Sequence, residues 1–328
     1  MRTVLVIGML SVLLAACSES AESPSSPDGT EAGPDWPLTG VASADPSVDV
    51  QGPAVVVKVD NVPDALPQTG LGTADIIVEE PVEGGVTRLA VFFHSQIGGS
   101  TGPVRSVRSS DVGIVKPAEA VLVASGGAAS ALADIEAADI VTRLDGSAPG
   151  FSRDPSRVAP HNLFVDVGEL HAELDAPGPP GEYFEFADAG TLPDGEPAQA
   201  VVLTFSPAQT TRLDETAGGW ERVADTPDGF SADTVIALTV EQGTADYLDP
   251  SGAPVPINLT EGSGSGWLVH GGEVVEIEWS KESAGDRWTF TSGEESIGVP
   301  PGRTYLALLP AATGSLRVAA PEATGEGE

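Results

Sequence analysis

The chain holds 49 acidic residues against 15 basic ones, yet Arg88, Arg105, Arg108, Arg143, Arg153 and Arg157 all fall in one part of it. A guanidinium is a planar fork of donors that grips phosphate or carboxylate at two points. The same part contains Ser125-Gly126-Gly127 and His161-Asn162. A strand that enters a Ser-Gly-Gly turn and then a helix leaves backbone N–H groups converging on one spot, where the helix dipole also favours negative charge. Arg88, Arg105, Arg108, Ser125, Gly126, Gly127, Arg157, His161 and Asn162 are therefore the candidate residues of an oxyanion-binding cleft, and His161 would donate a hydrogen bond or move a proton there. The competing reading is structural. The arginines would pair with local acids such as Asp111 or Glu83, and the glycines would simply permit a sharp turn.

Ser125 supports a sharper alternative. Val123-Ala124-Ser125-Gly126-Gly127 resembles a nucleophile elbow, but Val123 stands where the G-x-S-x-G pattern requires glycine. His161 with Asp154 or Asp166 would complete a triad only if folding brought them together. On this reading the protein is a hydrolase or transferase acting on an anionic cell-wall polymer, with Arg105 and Arg108 holding substrate and His161 as acid and base. Asp60, Asp75, Glu79, Glu80, Glu83 and His94 offer oxygen and imidazole donors without any H-x-x-x-H, H-E-x-x-H or calcium-loop spacing, so no metal is expected. His94 ends an apolar run and reads as a packed or strand-edge residue. No Walker-type or dinucleotide glycine pattern is present, and no cofactor is expected.

The elements that must position these residues follow from hydrophobic periodicity. Pro53–Asp60 (PAVVVKVD), Ala74–Glu80, Val86–His94 and Ala120–Ala124 read as strands, with Glu83-Gly84-Gly85 a tight turn between the second and third. Ala128–Ala138 has the Ala and Leu content of a helix, and 165–174 reads as another short one. This half, 49–175, is expected to be a mixed α/β domain. From position 200 short strands dominate: Val201–Phe205, Trp220–Val223, Val235–Val240, Val274–Trp279, Trp288–Thr291 and Thr304–Leu309. In Val274–Trp279, Val275, Ile277 and Trp279 alternate with Glu276 and Glu278, as in a half-buried strand. Residues 200–318 are thus expected to be a mostly-β domain. Trp220, Trp267, Trp279, Trp288 and Tyr305 would form either its core or an aromatic platform for glycans. The stretch 176–199, dense in Pro, Gly and acid, reads as a linker, and 319–328 as a frayed tail.

The chain opens MRTVLVIGMLSVLLAAC: one cation, a short apolar run and small residues, the layout of a secretory signal over 1–16. Leu14-Ala15-Ala16-Cys17 resembles a lipobox, and Cys17 is the one cysteine in 328 residues, so no disulfide can form within the chain. A diacylglycerol thioether at Cys17, with palmitate-like chains at ~0.8 kcal/mol per buried methylene, would hold the protein to the bilayer. Residues 17–48 then read as the lipidated Cys and a disordered tether, with an r.m.s. reach of roughly 30 Å. A formal net charge of −34 argues against nucleic acid and anionic headgroups as partners.

A series of short motifs carries a resemblance. Pro37-Leu38-Thr39-Gly40, Lys58-Val59-Asp60-Asn61, Pro67-Gln68-Thr69-Gly70-Leu71, Ala74-Asp75-Ile76, Val82-Glu83-Gly84-Gly85-Val86-Thr87-Arg88, Gly102-Pro103-Val104-Arg105-Ser106-Val107-Arg108 and Ala159-Pro160-His161-Asn162-Leu163-Phe164 occur in that order. Glu278-Trp279-Ser280-Lys281 and Pro301-Gly302-Arg303-Thr304-Tyr305 continue it. The series resembles the YerB-like bacterial lipoprotein family, from Pro37 to Pro310, with Val78 standing where that family often carries an aromatic. The resemblance implies two paired domains of unknown function behind a lipidated Cys and a place on the outer face of the plasma membrane. It brings no established reaction. The leading expectation is a non-enzymatic envelope protein that binds an anionic ligand or an envelope partner through the Arg-rich site. A wall-polymer enzyme and a structural adaptor remain the alternatives.

Overall fold

The computed structural model describes residues 33–48, 50–174, 178–187, 192–223, 229–249 and 252–319. The expected signal peptide, Cys17, the tether up to position 32 and nearly all of the tail lie outside them.

β1 (Val55–Asp60) is a β-branched run, and every one of its residues is buried. β2 (Ile76–Pro81) and β3 (Thr87–Phe93) pair antiparallel across Glu83-Gly84-Gly85. Gly84 and Gly85 sit there at φ 76° and 73°, a left-handed backbone that glycine adopts without steric cost. β4 (Ser100–Thr101), α1 (Asp111–Val115), β5 (Val121–Ala124), α2 (Ala129–Ala137), β6 (Thr142–Leu144), β7 (Phe151–Arg153), β8 (Leu163–Asp166) and α3 (Val167–His171) follow. The helix expected over 165–174 begins only at Val167. Leu163–Asp166 is instead a strand held between β4 and β7. Asp166 then caps α3 by accepting the Glu169 N–H at 2.9 Å.

In the second half come β9 (Glu196–Pro197), β10 (Ala200–Ser206), β11 (Gln209–Thr216), β12 (Gly219–Arg222), β13 (Ser231–Ala232), β14 (Thr234–Val240), β15 (Gln242–Leu248), β16 (Pro254–Asn258), β17 (Gly262–His270), β18 (Glu273–Lys281), β19 (Thr289–Ser292), β20 (Glu295–Ile297), β21 (Thr304–Pro310) and β22 (Ser315–Val318). The described chain is mostly strand with few helices.

The two halves share one sheet. Its order is β20-β19-β18-β17-β14-β21-β2-β3-β1-β5-β6, with β9 added beside β18. β21 runs parallel to β14 on one side and to β2 on the other. One face of this sheet packs Val56, Phe92, Leu122, Ile135, Trp279 and Trp288. The other packs Val57, Val91, Val201, Trp220 and Tyr305 beneath a second sheet, β13-β12-β11-β10-β22.

Two expectations change here, and the core reading of the aromatics holds for four of the five. Within the stretch read as tether, Leu38 is fully buried and Trp36 meets His94 edge-on at 5.0 Å. In the stretch read as linker, Tyr183 and Phe184 are fully buried, and Phe184 bridges to Trp288. Aromatic surface of that size is more stable inside than in water, whatever the composition around it. Of the aromatics weighed as a glycan platform, Trp220, Trp279, Trp288 and Tyr305 belong to the core. Trp267 alone is half-exposed.

Candidate functional site

β1 and β5 run parallel with Val57 opposite Val123, which brings Asp60 at the end of β1 level with the Ser125-Gly126-Gly127 turn. The carboxyl ends of parallel strands are where α/β sheets place ligands. A segment from the β4–α1 connection threads between them: the Arg105 N–H donates to the Lys58 carbonyl at 2.8 Å, the Ser125 N–H to the Arg105 carbonyl at 3.0 Å, and the Val107 N–H to the Gly126 carbonyl at 2.9 Å.

Asp60, with 2% of its side chain exposed, lies 3.0 Å from Arg105 Nε and 2.8 Å from His161 Nδ1. A carboxylate only accepts, so Nδ1 carries the proton and Nε2 remains for other work. His161 therefore has a carboxylate partner, but neither Asp154 nor Asp166. Asp154 accepts from Ser156 instead, and Asp166 is the α3 cap. Ser125 Oγ lies 3.3 Å from Ser106 Oγ, and among the described residues no imidazole contacts it. The serine-triad geometry is absent.

The other arginines divide by role. Arg88 Nη2 donates to Glu83 Oε1 at 3.1 Å and Arg88 Nη1 to the Ser106 carbonyl at 2.8 Å. Arg108 grips the same Glu83 through Nε at 2.9 Å and through Nη2, and gives Nη1 to the Val107 carbonyl at 2.8 Å. Burial works to raise the Glu83 pKa, but the Arg108 hydrogen bond and the charges of Arg88 and Arg108 outweigh it and hold the carboxyl below its ordinary value. Burial, with Arg108 close by, lowers Arg88 to about 10. These two arginines are internal clamps. Arg157 donates to the carbonyls of Ala65, at 2.9 Å, and Pro67, and stacks its guanidinium 5.3 Å from the Phe164 ring centre. Asn162 Oδ1 accepts from Arg153 at 3.2 Å. Gly127 leaves no space for a side chain: an added Cβ would stand 2.6 Å from Val107. Of the candidate set, the fold brings Arg105, His161, Ser125 and Gly126 together at Asp60 and gives Arg88, Arg108 and Arg157 to the scaffold.

Glu79 and Glu80, both buried and both weighed as metal donors, have other partners. Glu80 and Asp111 both contact Lys58 Nζ, at 2.6 and 2.7 Å, with all three side chains fully buried. Asp111, proposed as an arginine partner, thus belongs to a lysine. Burial would lower the Lys58 pKa, but Asp111 and Glu80 reverse this and raise it. Asn258 Nδ2 closes the group by donating to Glu80 Oε2 at 3.1 Å. On the opposite face of the sheet, Glu79 accepts from Thr87 at 2.6 Å, Asn61 at 2.9 Å, Thr211 at 2.9 Å and Tyr305 at 2.6 Å. His94 Nε2 meets the Gly52 carbonyl at 3.1 Å. Among the described residues no group of three or more His, Cys, Asp or Glu is placed to hold a metal ion. Lys58 was passed over because one lysine in a valine run carries no spacing signal. Its unusual position in an otherwise apolar strand was the available clue.

The family pattern described as the N-terminal domain of a protein of unknown function, DUF3048, matches residues 38–179, and its C-terminal counterpart matches residues 198–306. The chain is similar to a Bacillus subtilis (strain 168) protein described as "Putative lipoprotein YerB", with 27% identity over 327 residues, covering 94% of this chain and 95% of that protein. The crystal structure of the YerB protein from Bacillus subtilis has the same fold at a TM-score of 0.70 and 22% identity, covering 86% of this chain and 99% of that one.

Proposed function

The chain belongs to the YerB-like family with paired DUF3048 domains, and from that premise we propose a lipid-anchored extracytoplasmic protein that binds an anionic ligand at Arg105 and His161. The anchor rests on Cys17 in its lipobox-like setting and on the lipoprotein named above. On this reading the protein sits on the outer face of the plasma membrane, and a cell-wall polyanion or an acidic segment of an envelope protein would be its ligand. We read the first half as the α/β part of the molecule, because β1, β5 and β6 are parallel and α2 connects the last two.

One observation carries the binding site. Arg105 spends its Nε on Asp60, and among the described residues no acceptor meets its terminal nitrogens. Its side chain is 24% exposed and that of His161 20%. Ser106, Ser125 and the amide-rich start of α2, whose N-cap Ala128 supplies no side-chain acceptor, stand alongside. An oxyanion held there would take two guanidinium N–H groups and neighbouring backbone or hydroxyl donors. Asp60 fixes the orientation of Arg105 and His161 and sets a charge the ligand must outcompete.

The test is thermal unfolding with inorganic phosphate, at constant ionic strength, of the wild type and Arg105→Ala. Binding raises the melting temperature as RT ln(1 + [L]/Kd) grows. The wild type shifts upward and the variant does not. An equal shift in both, or none in either, overturns the reading. The Asp60–His161 contact favours a second reading, in which His161 Nε2 is the acid and base of a hydrolase or transferase working on the same polymer. Wall-fragment turnover abolished by His161→Gln, with phosphate binding kept, would select it.

A further inference from the structure

The segment GSGSGW, 262–267, has the composition of a flexible linker but forms most of β17. Its glycines and its larger residues point to opposite faces. On the inner face a Cβ at Gly264 would stand 2.6 Å from Trp279 Nε1 and 2.7 Å from the Thr239 carbonyl, and one at Gly266 would stand 2.6 Å from the Ala237 carbonyl. The Trp279 indole lies close against this strand, donating Nε1–H to Thr239 O at 3.0 Å. The outer face carries Ser263, Ser265 and Trp267. Directly opposite them on β18 are Ser280, Glu278 and Glu276, and Thr291 of β19 lies opposite Glu278.

Small outward side chains leave a trough. Three cavities, of about 570, 410 and 430 Å³, adjoin along it. The first two share Trp267 and Glu276; the second and third share Ser265, Glu278 and Thr291. Leu316 and Val318 of β22, with Asp194 and Glu196, wall the end beside Trp267. Ser263 to Trp267 spans about 14 Å at ~3.4 Å per residue, two to three sugar rings in length. Among the described residues no lysine or arginine lines any of the three cavities.

The lining selects its occupant by chemistry. Four carboxylates without a cation repel phosphate- or carboxylate-bearing polymers. The apolar part of the lining, Val274, Val275, Leu316 and Val318, is interleaved with carboxylates and hydroxyls that a purely greasy ligand would strip of water without replacing their hydrogen bonds. Carboxylates accept short, strong hydrogen bonds from hydroxyl donors, and a half-buried indole offers an apolar face to the C–H side of a ring. We propose that this trough binds an uncharged saccharide chain, one ring lying on Trp267 and its hydroxyls donating to Glu276 and Glu278. The site is separate from the Arg105 cleft, which lies at the carboxyl ends of β1 and β5, and takes a ligand of opposite electrostatic character.

Isothermal titration of the full-length mature protein with chitohexaose and with cellohexaose tests it. At least one probe binds, Trp267→Ala weakens it tenfold or more, and Trp267→Phe recovers part of the loss. Because Trp267 also packs against the core, Glu278→Lys on the exposed face provides the second variant, and it too weakens binding without moving the melting temperature. Absence of binding by both probes overturns the proposal. So does binding unaffected by either Trp267→Ala or Glu278→Lys, or a trough that binds oligolysine and neither saccharide.

Discussion

The Tyr305 hydroxyl donates to Glu79 Oε2 at 2.6 Å in the fully buried middle of the large sheet. One residue comes from β21 and the other from β2, adjacent parallel strands more than two hundred positions apart in sequence. Thr211 of β11 reaches the same carboxylate from the second sheet. A charge in an apolar interior is tolerated only when its acceptor sites are filled, so Glu79 requires both halves of the chain to be in place.

Tyr305→Phe removes one of those donors and leaves the space filled. The expected loss is about 1–3 kcal/mol, the desolvation penalty of an acceptor left short. Urea unfolding measures it. A loss below a few tenths of a kcal/mol would mean that the remaining donors suffice.

Lys58→Met has a larger expected effect. It leaves Glu80 and Asp111 facing each other without a cation, and breaking a buried ion pair costs about 3–5 kcal/mol. The double replacement Lys58→Met with Glu80→Leu should recover part of this, which a denaturant-melt comparison of the two variants would show.

The Glu83 clamp predicts a pH dependence. Its folded-state pKa is lowered below the ordinary 4.5 by Arg88 and Arg108 acting against burial. The unfolded chain therefore takes up the proton first as pH falls. The clamp's stabilisation is complete above the ordinary carboxylate pKa and is lost as pH drops through the lower folded value. Glu83→Gln should melt below the wild type at pH 7, and the gap should close as the pH is lowered past 4. A gap independent of pH would assign the effect to packing.

Gly264→Ala tests the packing beneath β17. The added methyl meets a backbone carbonyl that cannot rotate away, so a cost of about 1–3 kcal/mol is expected, with a change in Trp279 fluorescence. Gly262→Ala supplies a useful contrast, because its added Cβ meets nothing within 4 Å. Its φ of +109° makes its cost one of backbone conformation alone.

The long β-branched strands were legible because their apolar runs are dense, broken only by Lys58 within Val55–Val59 and by Thr239 within Val235–Val240. The Ala-rich helix and the Glu83-Gly84-Gly85 turn were legible from local chemistry. β17 was not, because Gly and Ser carry no strand propensity and its fold is imposed by Trp279 packing against it from β18. β16, Pro-Val-Pro-Ile-Asn, was missed because its prolines argue against a strand. It pairs only with β15, outside the two larger sheets. Tyr183 and Phe184 were hidden by the Pro, Gly and acid around them. At the site, arginine pairing with Glu83 was anticipated. The carboxylate for His161 was not, since Asp60 lies 101 positions away and meets it only because the segment Pro103–Arg105 bonds to Asp60 and Lys58 of β1 on one side and to Leu163 of β8 on the other.

The position of β21 has a consequence for how the molecule is made. β21 (Thr304–Pro310) fills the gap between β14 and β2, so both of those neighbours, made earlier, wait with open flanks until it is delivered. A chain cut short before Thr304 would keep all of its first-half sequence and still lack its keystone. It would expose two unsatisfied strand edges, the kind of surface that proteases and sticky neighbours find first.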